Sequence, residues 1–197
     1  MIAEDPHRIV SSEAEELILV DRDDNVTGFL SKADCHDGAG RLHRAFSVFL
    51  FNADGELLLQ QRAEGKRLWP GYWSNTCCSH PRRGETLEVA SGRRLQDELN
   101  VAAELEFAYR FVYQAPFGDA GSEHELCHVF LGRVTEPPWP NQSEIASLRY
   151  LSAADLDVEL LASPERFTPW FKLEWDALKL GHAERLAAFT QAAKPAQ

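Results

Sequence analysis

The stretch from Trp69 to Val101, WPGYWSNTCCSHPRRGETLEVASGRRLQDELNV, constrains the fold more than any other part of the chain. It begins in a loop rich in aromatic and turn residues. It passes through an extended piece carrying Cys78 and His80, and it ends in a helix with Arg94 and Glu98 one turn apart. Thiol, imidazole, carboxylate and guanidinium therefore occur within about two dozen positions. A segment built only for packing rarely needs all four, so this loop–strand–helix unit reads as the spine of an active site.

Strands and helices alternate irregularly around it. Glu16–Val20 and Val26–Leu30 read as a hairpin around the turn Asp21–Asn25. Ser31–Arg41 is a polar loop or short helix, and His43–Phe51 is a strand of strong propensity. Glu56–Gln61 returns after the turn Asn52-Ala53-Asp54-Gly55, and the loop Arg62–Trp73 follows. In the helix Thr86–Leu99, the residues Leu87, Ala90, Leu95 and Leu99 share one side, beside a polar stripe of Ser91, Arg94 and Glu98. Two long strands, Glu104–Ala115 and Glu123–Val134, flank the Gly-rich loop Pro116–Ser122. A short strand, Leu148–Leu151, precedes a helix capped by Ser152 and running to about Leu161. Thr168 followed by Pro169 opens a last helix with Trp170, Phe171 and Trp175. The order predicts an α/β domain, a mixed sheet with helices on both faces, over residues 16–192. Residues 1–15 and 193–197 are expected to be flexible.

A chain of 197 residues, 44% hydrophobic, buries enough surface to stand without disulfide staples. Its cysteines, Cys35, Cys77, Cys78 and Cys127, form no Cys-x-x-Cys pair and read as reduced thiols of a cytoplasmic protein. No apolar run approaches the ~20 residues of a membrane span, and the acidic N-terminus lacks a signal-peptide core. The net charge of −11 argues against nucleic acid as a partner. Yet between Arg62 and Arg94 seven basic residues face three acidic ones. A positive island in a negative chain suggests a small anionic ligand held locally. Nothing in the chain demands more than a monomer.

In EHELCHVFL, period two puts Glu123, Glu125, Cys127, Val129 and Leu131 on one face. Two buried carboxylates side by side repel, and a cation resolves the conflict. His36, His43 and His80 stand at element edges; with Glu123 and Glu125 they would form an N/O-rich site suited to Mn²⁺, Mg²⁺ or Zn²⁺. Either carboxylate could instead be a solvated strand end, and any lone histidine a structural one. His7, His124, His128 and His182 have no such company. Lys32, Arg62, Lys66 and Arg94 are candidate diphosphate holders by charge and bidentate geometry. Glu98 is either the partner of Arg94 in an intrahelical ion pair or a carboxylate for a second metal. Trp170 is a core residue or an aromatic face beside a cation.

With these residues in view, the chain resembles type I isopentenyl diphosphate isomerase, a family of the Nudix-fold superfamily. WPGYWSNTCCSHP, RLHRAF and EHELCHVF carry the likeness, which runs from about Glu16 to about Thr190. The resemblance implies a Nudix-type mixed sheet sandwiched between helices. It implies catalytic roles for Cys78 and Glu125, with Tyr113 beside the glutamate. It implies a first metal on His36, His43, His80, Glu123 and Glu125, and a Mg²⁺ bridging Glu98 and the substrate diphosphate. It assigns diphosphate contacts to Lys32, Arg62, Lys66 and Arg94, a substrate contact to Ser79, and cation shielding to Trp170. The superfamily box is altered: Glu85 fills its first acidic position, and Arg94 stands where the hydrolases carry a catalytic glutamate. That change favours isomerisation over the rival activity, a Nudix pyrophosphohydrolase. Ser79 and Asn100 replace usual glycines, and Asn tolerates a left-handed helix end.

Overall fold

The computed structural model describes residues 6–192. The tail expected to be flexible at 193–197 and the first five residues lie outside that range. The strands are β1 (Glu16–Val20), β2 (Val26–Ser31), β3 (His43–Phe51), β4 (Leu57–Arg62), β5 (Trp73–Ser74), β6 (Cys77–Ser79), β7 (Leu105–Pro116), β8 (Ser122–Arg133) and β9 (Ile145–Leu151). The helices are α1 (Lys32–His36), α2 (Leu87–Leu99), α3 (Ala153–Ala162), α4 (Pro169–Gly181) and α5 (Ala183–Thr190).

Strand β3 is the hub, pairing with β1, β4 and β6 antiparallel and with β8 parallel. From Ala45 to Phe51 every residue of it is buried, and the period of two divides them between two cores. Phe46, Val48 and Leu50 pack with Ala90, Leu95 and Leu99 of α2. Ala45, Phe49 and Phe51 pack with Trp170, Phe171, Trp175 and Leu178 of α4, with Leu156 of α3 and Leu186 of α5 on the same side. This is the mixed-sheet sandwich that the alternation of elements implies.

The local chemistry fixes the ends. Thr86 and Ser152 accept from Val89 N–H and Asp155 N–H as N-caps. Asn100 closes α2 at φ 54°, and its N–H reaches Gln96 O, so the replacement of glycine there is accommodated. Thr168 stands at the N-cap of α4 but makes no side-chain cap; its hydroxyl turns to Ser74 Oγ at 2.9 Å, tying α4 to β5. Gly121 lies at φ 135°, where a Cβ would stand 2.2 Å from the carbonyl oxygen of His36. That close approach seats α1 against the start of β8.

Residues 8–15, expected to be loose, are tied across the domain. Arg8 pairs with Asp97 at 2.5 Å, Val10 O accepts from Arg94 at 3.0 Å, and Glu15 pairs with Arg82 at 2.6 Å. The reason lies in partners far along the chain, which local composition does not reveal.

Candidate active site

Register assembles the site from four strands side by side, β6, β3, β8 and β7. The parallel pairing sets His43 opposite Glu125 and Ala45 opposite Cys127. The antiparallel pairing sets Ser47 opposite Cys78. On the far side of β8, Tyr113 stands opposite Glu125. One face at one end of the sheet therefore gathers thiol, phenol, imidazole and carboxylate.

His36, His43, His80, Glu123 and Glu125 offer ligand atoms that all lie within 4.8 Å of one another. Nδ1 of His36 is 2.6 Å from Lys32 O, and Nδ1 of His43 is 2.7 Å from Arg41 O. Those carbonyls hold a proton on Nδ1 and turn Nε2 inward. Nε2 of His43 is buried without a hydrogen-bond partner, 3.8 Å from Glu125 Oε1. A buried lone pair of that kind suits a metal ion. Nε2 of His36 meets Glu123 Oε2 at 2.8 Å, and Nε2 of His80 meets Glu125 Oε1 at 2.8 Å. This donor set fits a divalent cation.

Proton affinities follow the geometry. Burial opposes a charge on His36, but Glu123 outweighs it and raises the imidazole to about 9. Burial also opposes ionisation of Glu123, but His36 holds it well below the usual carboxylate range. Burial, with His80 and His36 adding to it, keeps His43 neutral at about 3, and burial with the His36 imidazolium keeps His80 neutral. Burial and the Glu123 charge push Glu125 up to about 7. A metal ion must therefore displace the His36 proton. Between about pH 7 and 9, ion binding should release about one proton, and affinity should rise about tenfold per pH unit. Calorimetry with Mn²⁺ in buffers of different ionisation enthalpy reads the proton count; no proton release would refute the pairing.

Next to this cluster opens a cavity of about 330 Å³. Cys78, Ser79, Tyr113, Glu125 and Trp170 line it, and so do Lys32, Arg62, Lys66 and Arg94. Of the positive island, Arg62, Lys66, Arg67 and Arg94 reach the cavity. Arg82, Arg83 and Arg93 instead pair with Glu15, Glu16 and Glu85. Glu85, at the first position of the box, is thus bound to Arg93. His124 and His128 lie elsewhere, the latter 3.2 Å from Asp24, and His182 stacks on Tyr109. His7 is also outside the ligand cluster.

Glu125 divides its two oxygens. Oε1 faces the histidines, and Oε2 accepts from the Tyr113 hydroxyl at 2.7 Å. Cys78 sulfur has partners for either protonation state. Its S–H donates to Asn75 Oδ1 at 2.7 Å. The indole N–H of Trp170 at 3.1 Å and the Ser47 hydroxyl at 3.6 Å donate to it. The Asn75 amide is oriented by donating to Val48 O and Cys77 O, which leaves its oxygen for the thiol. Burial pushes the thiol up to about 12, so it holds its proton when no cation is nearby. Composition gave only the reference value near 8.5.

Four residues escaped the sequence reading. Asn75 and Ser47 look like ordinary polar residues of a turn and a strand. Glu144 is 4% exposed and pairs with Lys66 and with Arg94 at 3.0 Å. Glu174 is fully buried on α4, between Trp170 and Leu178 on the apolar face; its helical spacing was the available signal. Glu98 is not on the cavity wall. It lies 2.6 Å from Arg94 and 3.5 Å from the Cys77 thiol, so the intrahelical ion pair is present and buried.

This sheet, with its altered box, is a Nudix fold: the NUDIX domain model matches residues 41–171. The crystal structure of DR0079 from Deinococcus radiodurans is similar, with a TM-score of 0.63 and 26% identity over 76% of this chain and 90% of that one. The chain is 42% identical over 174 residues to "Isopentenyl-diphosphate Delta-isomerase 1" of Photorhabdus laumondii, covering 87% of this chain and 99% of the relative. It is 44% identical over 153 residues to "Isopentenyl-diphosphate Delta-isomerase" of Nocardia farcinica, covering 77% and 87%. The chain belongs to the Nudix family and, within it, to the isopentenyl-diphosphate Delta-isomerases.

Proposed function

We propose that this enzyme interconverts isopentenyl diphosphate and dimethylallyl diphosphate by moving one proton onto the carbon skeleton and another off it. The observation that carries the reading is the placement of Cys78 and Glu125 on strands flanking β3, with Tyr113 on the next strand beside Glu125, all facing one cavity. An unactivated alkene is a very weak base, so its protonation needs a strong acid in a water-poor pocket that stabilises a tertiary carbocation. Glu125, whose free oxygen is bound by Tyr113, is the stronger acid of the two and protonates the terminal carbon. Cys78, as thiolate, removes a proton from the carbon nearer the diphosphate. The N–H of Trp170 and the hydroxyl of Ser47 support the charge on sulfur, and the indole ring shields the cation. The reaction is reversible, so each group serves as donor and acceptor.

Arg62, Lys66, Lys32 and Arg94 bind the diphosphate, with Ser79 at the cavity wall. Burial pulls the Lys66 pKa down against the attraction of Glu144, so an incoming diphosphate also favours its charged form. His36, His43, His80, Glu123 and Glu125 would hold the first ion, Mn²⁺ in our assignment, with Mg²⁺ or Zn²⁺ as the other cations the set suits. Bound there, it acts as a Lewis acid that sets the proton affinity of Glu125. Glu98, paired with Arg94 at 2.6 Å, would hold the second ion, Mg²⁺, together with the substrate diphosphate. Among the described residues no helix is long and apolar enough to cross a membrane. We assign the enzyme to the cytoplasm as a monomer of one domain over residues 16–192, with a small-molecule partner and no nucleic acid or membrane.

Incubation with isopentenyl diphosphate, Mn²⁺ and Mg²⁺ tests this. Vinyl proton signals should move to the dimethylallyl product with no phosphate released. Released phosphate would support the pyrophosphohydrolase instead, and unchanged spectra would support a binding module. Arg94 at the position of the hydrolase glutamate speaks against the former.

A further inference from the structure

A carboxyl group lies behind the reactive thiol, in the core rather than in the cavity. Glu174 has no exposed surface, and its Oε2 has no hydrogen-bond partner. Among the described residues no lysine, arginine or histidine pairs with it in the structure's ion pairs. Its neighbours are few. From β3 Ser47 reaches it through the Cys127 thiol. From β8 the Cys127 thiol reaches Oε1 at 3.5 Å and Ser47 Oγ at 3.4 Å. From β7 the Tyr109 hydroxyl donates to its backbone oxygen at 3.1 Å. Glu125 on β8 and Cys78 on β6 are the other titratable groups that feel its charge. Ser47 completes the link, donating to Cys78 Sγ at 3.6 Å.

An ionised carboxylate accepts hydrogen bonds and cannot donate them. In that state it draws the Cys127 proton to Oε1. Ser47 Oγ then loses its Cys127 donor, and a negative charge stands behind a thiolate. A protonated carboxyl releases the Cys127 S–H to Ser47 Oγ, which leaves the Ser47 proton for the sulfur. We propose that Glu174 is a positioning residue for Cys78: as the neutral acid it aims the Ser47 hydroxyl at the sulfur and keeps negative charge away from the forming thiolate. This inference rests on Cys78 as the proton-transfer group. Burial pushes the Glu174 carboxyl up to about 8, with Glu125 adding to the rise and Ser47 and Cys127 opposing it. It is thus neutral at about pH 7 and charges as the pH rises through that value.

The test reads the thiol directly as well as turnover, on metal-loaded full-length enzyme. Iodoacetamide alkylation of Cys78 is followed by peptide mass spectrometry from about pH 6 to 10. At about pH 9, Glu174→Gln, which stays neutral, should react about tenfold faster than the unsubstituted enzyme. In the isomerase assay, kcat of the unsubstituted enzyme should fall about tenfold between about pH 7 and 9, and that of Glu174→Gln should stay flat. Ser47→Ala should slow alkylation at about pH 7 at least about threefold and abolish the effect of adding Glu174→Gln. Identical alkylation profiles with and without Glu174→Gln, or Ser47→Ala reacting as fast as the unsubstituted enzyme, would overturn the proposal. If Glu174→Gln does not fold, infrared on the unsubstituted enzyme decides. A buried carboxylic-acid C=O band that persists at about pH 7 and disappears by about pH 10 supports it; its absence at about pH 7 overturns it. Because alkylation needs no turnover, these outcomes stand apart from failure of the isomerase reading, which would show as unchanged vinyl signals.

Discussion

Cys78→Ala should bind inorganic diphosphate within about twofold of the unsubstituted enzyme and turn over about 10³–10⁴-fold more slowly. The diphosphate-facing cations, Arg62, Lys66 and Lys32, sit on other elements and keep their geometry when the sulfur is removed. The lost atom is the one on which Asn75, Trp170 and Ser47 converge. Calorimetry gives the binding, and vinyl-proton NMR gives the rate. A rate within tenfold of normal would remove the sulfur from the reaction. Cys78→Ser is the sharper companion. The hydroxyl fills the same place, but its alkoxide is far harder to form, so it should remain nearly as slow as alanine.

Glu125→Gln should be at least as damaging, about 10⁴-fold or more, because one carboxylate serves two sites. Oε1 belongs to the histidine cluster, and Oε2 holds the Tyr113 hydroxyl. An amide keeps the volume but lacks the proton chemistry, and it is a weaker ligand. The two losses can be separated. Exchange of solvent deuterium into the product methyl group reports the proton step, and Mn²⁺ calorimetry reports the ion. Tyr113→Phe should keep the ion and lose only about 10²-fold in rate. Glu125→Gln with more than about a tenth of normal turnover would show that another acid protonates the alkene.

Much of this arrangement was legible before any coordinates. The largely apolar run of β3, the caps Thr86 and Ser152, and the alternation in EHELCHVFL each fix their elements through local chemistry. The five metal-competent side chains were also found, because their residue types are rare in such a pattern. Other elements were too short or too plain to leave a signal. β5 and β6 span two and three residues, below any useful periodicity. α5 follows the N-cap residue His182, which provides no side-chain cap, so it merged with the end of α4. β9 begins at Ile145, three residues before its strongest β-formers. Pairing is the larger gap. Nothing local states that β3 runs parallel to β8 with His43 against Glu125, and the merging of four strands into one site depends on that register. Glu144 and Glu174 hid for a related reason. A carboxylate reads as surface until its long-range partners, or the apolar helix face around it, are counted.

Strand β3 also makes correct threading self-reporting. A slip of one residue would turn His43 and Ser47 towards the α2 layer and Phe46 and Val48 towards the α4 layer. Both layers would then mispack while the imidazole left its carboxylate. A bound ion is therefore a proofreading mark on the whole sandwich, and titrating the sites counts the molecules that have sorted both layers correctly.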